Sequence, residues 1–156
     1  MMNNDIGFFK MPIMTTSQYI ESVNNRYKLG NATEHTFRGD LLTLLETLLP
    51  AIQITNEPKR LECGAPDYIL TKKDIPVGYI EAKDIGDAGL DGKRKSGNKE
   101  QFDRYKASLP NLIFTDYLNF HLYQDGEFRT KITIGEVTDK GIKPLSENFA
   151  EFENLM

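Results

Sequence analysis

Two neighbouring stretches constrain this chain most: Gly-Ala-Pro-Asp-Tyr-Ile-Leu at residues 64–70 and Val-Gly-Tyr-Ile-Glu-Ala-Lys at residues 77–83. Ile69, Leu70, Val77, Tyr79 and Ile80 supply the apolar and β-branched content of two short strands. Lys72, Lys73, Asp74 and Pro76 supply the break between them. The pattern predicts a hairpin that carries three charged side chains, Asp67, Glu81 and Lys83. Glu81 and Lys83 are two apart on one strand and share a face, and Asp67 opens the partner strand within reach of that face. Two carboxylates and an amine on a largely apolar sheet are costly unless something binds there. Taken singly, a surface Asp and a Glu-x-Lys ion pair on a strand need no ligand. It is their combination at hairpin spacing that points to a site.

A hard divalent cation suits such a site. Mg²⁺ prefers oxygen ligands, keeps several waters, and is commonly held by one or two carboxylates and a phosphate; Mn²⁺ is the alternative ion. An ammonium beside it can orient an attacking water or stabilise charge on a phosphate in transit. Pro66-Asp67 followed by Glu81-Ala82-Lys83 is the PD-(D/E)xK signature, and the chain resembles the PD-(D/E)xK nuclease superfamily. The resemblance implies an α/β (α+β) fold with an αβββαβ core, in which helices flank a central mixed sheet. An extra C-terminal hairpin and helix are expected here. It also implies Mg²⁺-dependent hydrolysis of DNA phosphodiesters, with Asp67, Glu81 and Lys83 as the catalytic set. The metal would lie on Asp67 and Glu81, with the backbone carbonyl of Ala82 as a further ligand and Glu34 binding directly or through water.

The length of 156 residues suits one domain with a substantial core, and 39% hydrophobic with 27% charged residues is ordinary for a soluble chain. No apolar run approaches the roughly 20 residues of a membrane span. The N-terminus lacks the layout of a signal peptide. The lone cysteine, Cys63, excludes an internal disulfide and a cysteine zinc cluster. A reducing, cytoplasmic setting is the default, with Cys63 expected as a small buried hydrophobe on a strand. The net charge of -4 argues against a polybasic DNA binder. It leaves room for a nuclease that gathers acid at a metal and places basic residues locally around it. His35 and His121 are too far apart to read as a metal motif.

Taken in order, residues 1–14 read as a loose arm broken by Pro12. A first helix is expected over 17–29, capped within Thr15-Thr16-Ser17 and ended by Gly30, with Tyr19, Ile20, Val23, Tyr27 and Leu29 as its stripe. A second helix is expected from Glu34 to Leu49, started by Asn31 or Thr33 and ended by Pro50. Its apolar positions are Phe37, Leu41, Leu44, Leu45 and Leu48. The helical period puts Glu34 on that stripe, where it is either a first-turn acid facing the dipole or a third acid of the site. Arg38 then either faces the cleft and meets a phosphate or pairs with Glu34. Residues 52–55 start a strand that residues 61–63 continue.

Residues 84–99 are glycine-rich and read as a mobile loop. Within it, Lys93, Arg94 and Lys95 belong to a basic run that is either a solvated linker or a phosphate clamp. A helix over 99–109 carries Phe102, Tyr105 and Leu109. Gln101 and Tyr105 lie one turn apart and match a Gln-x-x-x-Tyr motif that follows the Glu-x-Lys strand in RecB-like members of the superfamily. They read either as DNA-binding site groups, with Gln101 hydrogen-bonding a site carboxylate or lysine and the Tyr105 hydroxyl contacting a phosphate, or as a core tyrosine with an exposed glutamine. Strands are expected over 111–115, 119–123 and 128–137, with an Asp-Gly turn at 125–126, a loop at Gly141 and Pro144, and a final helix over 146–155. The core spans residues 31–137, and the apolar face of the last helix suggests a domain excised from a longer polypeptide.

Several phrases, among them residues 34–38, 56–60, 64–67, 79–84 and 109–113, are similar to the N-terminal nuclease region of single-chain restriction-modification enzymes of the Type ISP kind. That similarity implies double-stranded DNA as partner. It also implies a helicase-like motor, an adenine-specific methyltransferase and a target-recognition domain elsewhere in the polypeptide. Two other readings stand beside it within the superfamily: a RecB-like repair nuclease, and a non-catalytic DNA-binding or scaffold module. A small interaction domain with incidental charges predicts that Asp67, Glu81 and Lys83 do not converge.

Overall fold

The computed structural model describes residues 13–33, 35–87, 90 and 97–156, and the side chains of residues 97 and 98 are outside the description. Helices α1 (Thr16–Lys28) and α2 (Arg38–Leu48) precede strands β1 (Gln53–Asn56), β2 (Tyr68–Lys72) and β3 (Ile75–Ala82). Helix α3 (Gly97–Ser108) leads to β4 (Asn111–Thr115), β5 (Asn119–Gln124) and β6 (Glu127–Thr133), then β7 (Gly135–Thr138), β8 (Gly141–Pro144) and helix α4 (Phe149–Leu155). From α2 to β4 the order is αβββαβ, a restriction-endonuclease-like core. No helix among the described residues is long and apolar enough to cross a membrane.

Six strands form one sheet in the order β1-β2-β3-β4-β5-β6. All neighbours are antiparallel except β3 and β4. A parallel pair cannot be joined by a tight turn, and α3 makes that crossover. The sheet is thus mixed because of one helix, and that helix follows directly on the Glu-x-Lys strand. Its two faces bury different things. Tyr19, Ile20 and Val23 of α1, Leu41, Leu44 and Leu45 of α2 and Phe152 of α4 pack on one face against Tyr68, Ile80, Ala82, Phe120 and Ile132. Phe102, Tyr105 and Leu109 pack on the other face against Leu112, Phe114 and Tyr123. Alternation along β4 sends Leu112 and Phe114 to the α3 side, where Phe102 stacks on Phe114 with ring centroids 4.0 Å apart.

Local chemistry explains most boundaries. Thr15 caps α1 in a reciprocal capping box with Gln18, and Gly30 leaves the helix at φ +75°. Leu29, expected on the stripe, is instead an exposed C-cap. Helix α2 starts at Arg38, later than the sequence suggests. Thr33 and Thr36 close a turn ahead of it, with Thr33 N–H donating to Thr36 Oγ1 at 2.9 Å and Thr36 N–H to the Thr33 carbonyl at 3.0 Å. Such side-chain bonds compete with helix formation. Glu34 lies outside the described residues. Asp125 and Gly126 both have positive φ, 51° and 82°, as a two-residue hairpin turn between β5 and β6 requires.

Five expectations need correction. Residues 61–63 do not extend a strand: Leu61 and Gly64 exchange backbone hydrogen bonds of 2.7 and 3.1 Å and close a turn. Cys63 is buried in that turn rather than on a strand. The strand expected over 128–137 splits at Ile134. Gly135 sits so close to Ile142 and Leu118 that a Cβ there would lie 3.1 Å from each, and the chain peels away to form a separate two-stranded sheet, β7 with β8. Gly141 and Pro144, expected in a loop, bound β8. The apolar face of α4 packs on this chain's own sheet, with the Phe152 ring 4.7 Å from that of Phe120.

Candidate active site

The site grows out of the register between β2 and β3. Tyr68 pairs with Ile80, so one further step along the antiparallel ladder sets Asp67 level with Glu81. The ladder to β1 continues the same way, the Glu57 amide donating to the Asp67 carbonyl at 2.7 Å. On the other side the Lys83 amide donates to the Thr115 carbonyl at 2.8 Å, which extends the parallel pairing of β3 and β4 past Ala82. The backbone around all three charged residues is therefore fixed by sheet bonds. Their heads meet at the end of the sheet, on the side covered by α3.

Each head group has defined partners. Asp67 is held at both oxygens. Oδ2 accepts from the Ala82 amide at 2.8 Å, and Oδ1 accepts a short hydrogen bond from Arg38 Nη2. Glu81 is 3% exposed. Its carboxyl lies 3.8 Å from Lys83 Nζ and makes a side-chain hydrogen bond with Asp67. Burial, that bond and the Asp67 charge push the Glu81 carboxyl up to about 9, against the pull of Lys83. Lys83 Nζ donates to Gln101 Oε1 at 2.8 Å. An ammonium can only donate, so it fixes the amide orientation of Gln101, whose Nε2 then faces the Tyr105 hydroxyl at 3.4 Å. Tyr105 is fully buried, and burial first, then the Glu81 charge, raises its phenol above the ordinary range.

Supporting residues lock this set in place. Gly64, three residues before Asp67, has φ +132°, and a Cβ there would lie 2.9 Å from the Tyr105 ring edge and hydroxyl. Replacing Gly64 by alanine is expected to cost about 2 kcal/mol through strain and collision. Denaturant titration checks this, and an unchanged midpoint would contradict it. The Tyr68 hydroxyl donates to the Arg38 carbonyl at 2.8 Å, tying the start of α2 to the start of β2. Asp116, buried at the end of β4, accepts from the amides of Leu118, Asn119 and Gly86. It thereby anchors the segment that leaves Lys83.

The structure brings together Asp67, Glu81, Lys83 and Gln101. Arg38 joins this set through Asp67, and Tyr105 stands beside Gln101. Arg38 is 8% exposed and its guanidinium bridges Asp67 and Glu57, with Nη1 to Glu57 at 2.7 Å. Tyr105 is buried behind Gln101. Glu34, Lys93, Arg94 and Lys95 lie outside the described residues. Glu57 was legible only as a turn residue. Its positive φ of 55° and its reach to Arg38 depend on how β1 leaves the sheet, which local pattern does not report.

Among the described residues no group of three His, Cys, Asp or Glu side chains is arranged to hold a metal. The pair Asp67 and Glu81 nevertheless has the right chemistry for one. The buried Glu81 carboxyl and the half-buried Asp67 carboxylate lie beside each other, and a divalent cation with hard oxygen preference would relieve the repulsion between their charges.

The mixed sheet, its α3 crossover and the acid-acid-lysine cluster at the ends of β2 and β3 define a domain with a restriction-endonuclease-like fold. No protein-family model matches the chain, and no curated protein does. Seven solved chains match. In one of them, from the cryoEM structure of a DrdV-DNA complex, the match has a TM-score of 0.63 and 22% identity and covers 89% of this chain. This chain spans 13% of that one.

Proposed function

We propose that this chain is a Mg²⁺-dependent DNA endonuclease domain of the PD-(D/E)xK kind, the cleavage module of a restriction-modification polypeptide. The observation that carries the reading is the convergence of Asp67, Glu81 and Lys83 at one sheet end. The likeness to a chain solved in complex with DNA supports nucleic acid as the partner, and the similarity of residues 34–38, 64–67 and 79–84 to Type ISP nuclease regions supports the restriction-modification setting. The motor, methyltransferase and target-recognition domains of the same polypeptide are part of this proposal.

In this reading Asp67 and Glu81 hold the cation, joined by the Ala82 carbonyl and by Glu34. When bound, Mg²⁺ acidifies a coordinated water and neutralises charge on the scissile phosphate. The chain's own residues do the remaining work. Arg38 and the Ala82 amide fix the Asp67 carboxylate so that it enters the site without a rotamer search. Gln101 holds the Lys83 ammonium beside Glu81, where it orients the attacking water and meets the charge that develops on the phosphate. Lys93, Arg94 and Lys95 contact backbone phosphates, and base recognition belongs to other domains.

The direct test is nicking or linearisation of supercoiled plasmid. Cleavage with Mg²⁺ or Mn²⁺ and none after EDTA is the expected result. Cleavage undiminished by the chelator would contradict the metal-dependent mechanism.

A further inference from the structure

We infer that Arg38 occupies one side of Asp67 so that the site accepts a single divalent cation rather than two. The inference deepens the nuclease reading and rests on it. Asp67 offers two oxygens. Oδ2 accepts from the amide of Ala82 at 2.8 Å, the residue next to Glu81, and Oδ1 accepts from Arg38 Nη2. The guanidinium is not a loose surface group. Arg38 is 8% exposed, its other prong donates to Glu57 at 2.7 Å, and its carbonyl is held by the Tyr68 hydroxyl at 2.8 Å. A cation approaching Oδ1 therefore meets a fixed positive charge in a poorly solvated place, where repulsion is weakly screened.

The local charge balance points the same way. Asp67 and Glu81 bring two negative charges when both are ionised, and Arg38 and Lys83 already bring two positive ones. Glu57 adds one more negative charge, on a side chain that is 68% exposed. One dication is then balanced by Glu57 and a substrate phosphate. A second dication would need two further negative charges, of which Glu34 could bring only one. Arg38 thus fills a cation position with protein, and it acts on the metal through Asp67 as a positioning residue.

The test is Mn²⁺ binding to the full chain, read by electron paramagnetic resonance of the free ion and by calorimetry, with and without a phosphorothioate duplex that resists cleavage. One Mn²⁺ per chain is expected in both states. Arg38→Gln keeps hydrogen-bond donors but removes the charge, and is expected to bind Mn²⁺ about tenfold more tightly. A merely structural arginine predicts the opposite sign, because a misplaced Asp67 would bind more weakly. Two Mn²⁺ per wild-type chain, or a folded R38Q that binds no more tightly, overturns the inference while leaving the nuclease reading standing. Wild type and Asp67→Ala both failing to bind Mn²⁺ overturns the nuclease reading itself. A thermal melt reports whether R38Q is folded, and if it is not, the wild-type count alone decides.

Discussion

Replacing Lys83 by alanine is expected to abolish DNA cleavage, by about a thousandfold or more, while leaving the fold intact. The amine is held on Gln101 at 2.8 Å and on Glu81 at 3.8 Å, not by the apolar core. Its loss therefore removes a charge from the site and no packing from the sheet. Pre-positioned charges of this kind contribute roughly a hundred- to a thousandfold each in related settings. Asp67→Ala is expected to match it in rate by removing the cation's anchor, but to cost stability as well, since it strands the buried Arg38 guanidinium. Lys83→Arg should not rescue, because a planar guanidinium cannot sit where a compact ammonium bonds one amide oxygen. Full activity in K83A, measured on plasmid under saturating Mg²⁺, would contradict the assignment.

The second large effect separates activity from stability. Glu81→Gln is expected to lose cleavage and yet make the metal-free fold more stable, by about 2 kcal/mol at neutral pH. The Glu81 carboxyl is buried beside Asp67 and raised from 4.5 to about 9. Between those values the folded chain holds a proton that the unfolded chain has released, so stability falls as pH rises through that window. Glutamine keeps the shape and carries no ionisable group. It should raise the melting temperature at pH 7 to 8 and flatten the dependence of stability on pH from 4.5 to 9. Adding Mg²⁺ should stabilise the wild type and not E81Q, since only the native site gains a ligand on folding. A lower melting temperature for E81Q at pH 8 would show that Glu81 is not a strained functional carboxyl.

Where local pattern alone decides structure, the sequence was readable. Residues 111–115 are a short apolar run and form β4 with those bounds. Asp125-Gly126 adopts the left-handed turn that such a pair prefers, and the αβββαβ order is the one that the superfamily resemblance implied. The meeting of Asp67, Glu81 and Lys83 followed from the two-residue period of β3 and the length of the hairpin. What was not readable depends on partners distant in the chain. The stripe of α4 did not say that Phe120, rather than another domain, covers it. The split at Ile134 comes from Gly135 being pressed between Leu118 and Ile142. Arg38 could not be aimed from sequence because α2 starts only after the Thr33–Thr36 turn, and the carboxylates it meets come from two different strand ends.

The most direct measurement is anomalous scattering from Mn²⁺ in crystals of the chain with an uncleaved duplex. The expected result is one peak at the end of β2 and β3, in contact with Asp67 and Glu81, and a backbone phosphate beside it within reach of Lys83. A peak elsewhere, or DNA bound with its backbone away from those three side chains, would contradict the proposed chemistry.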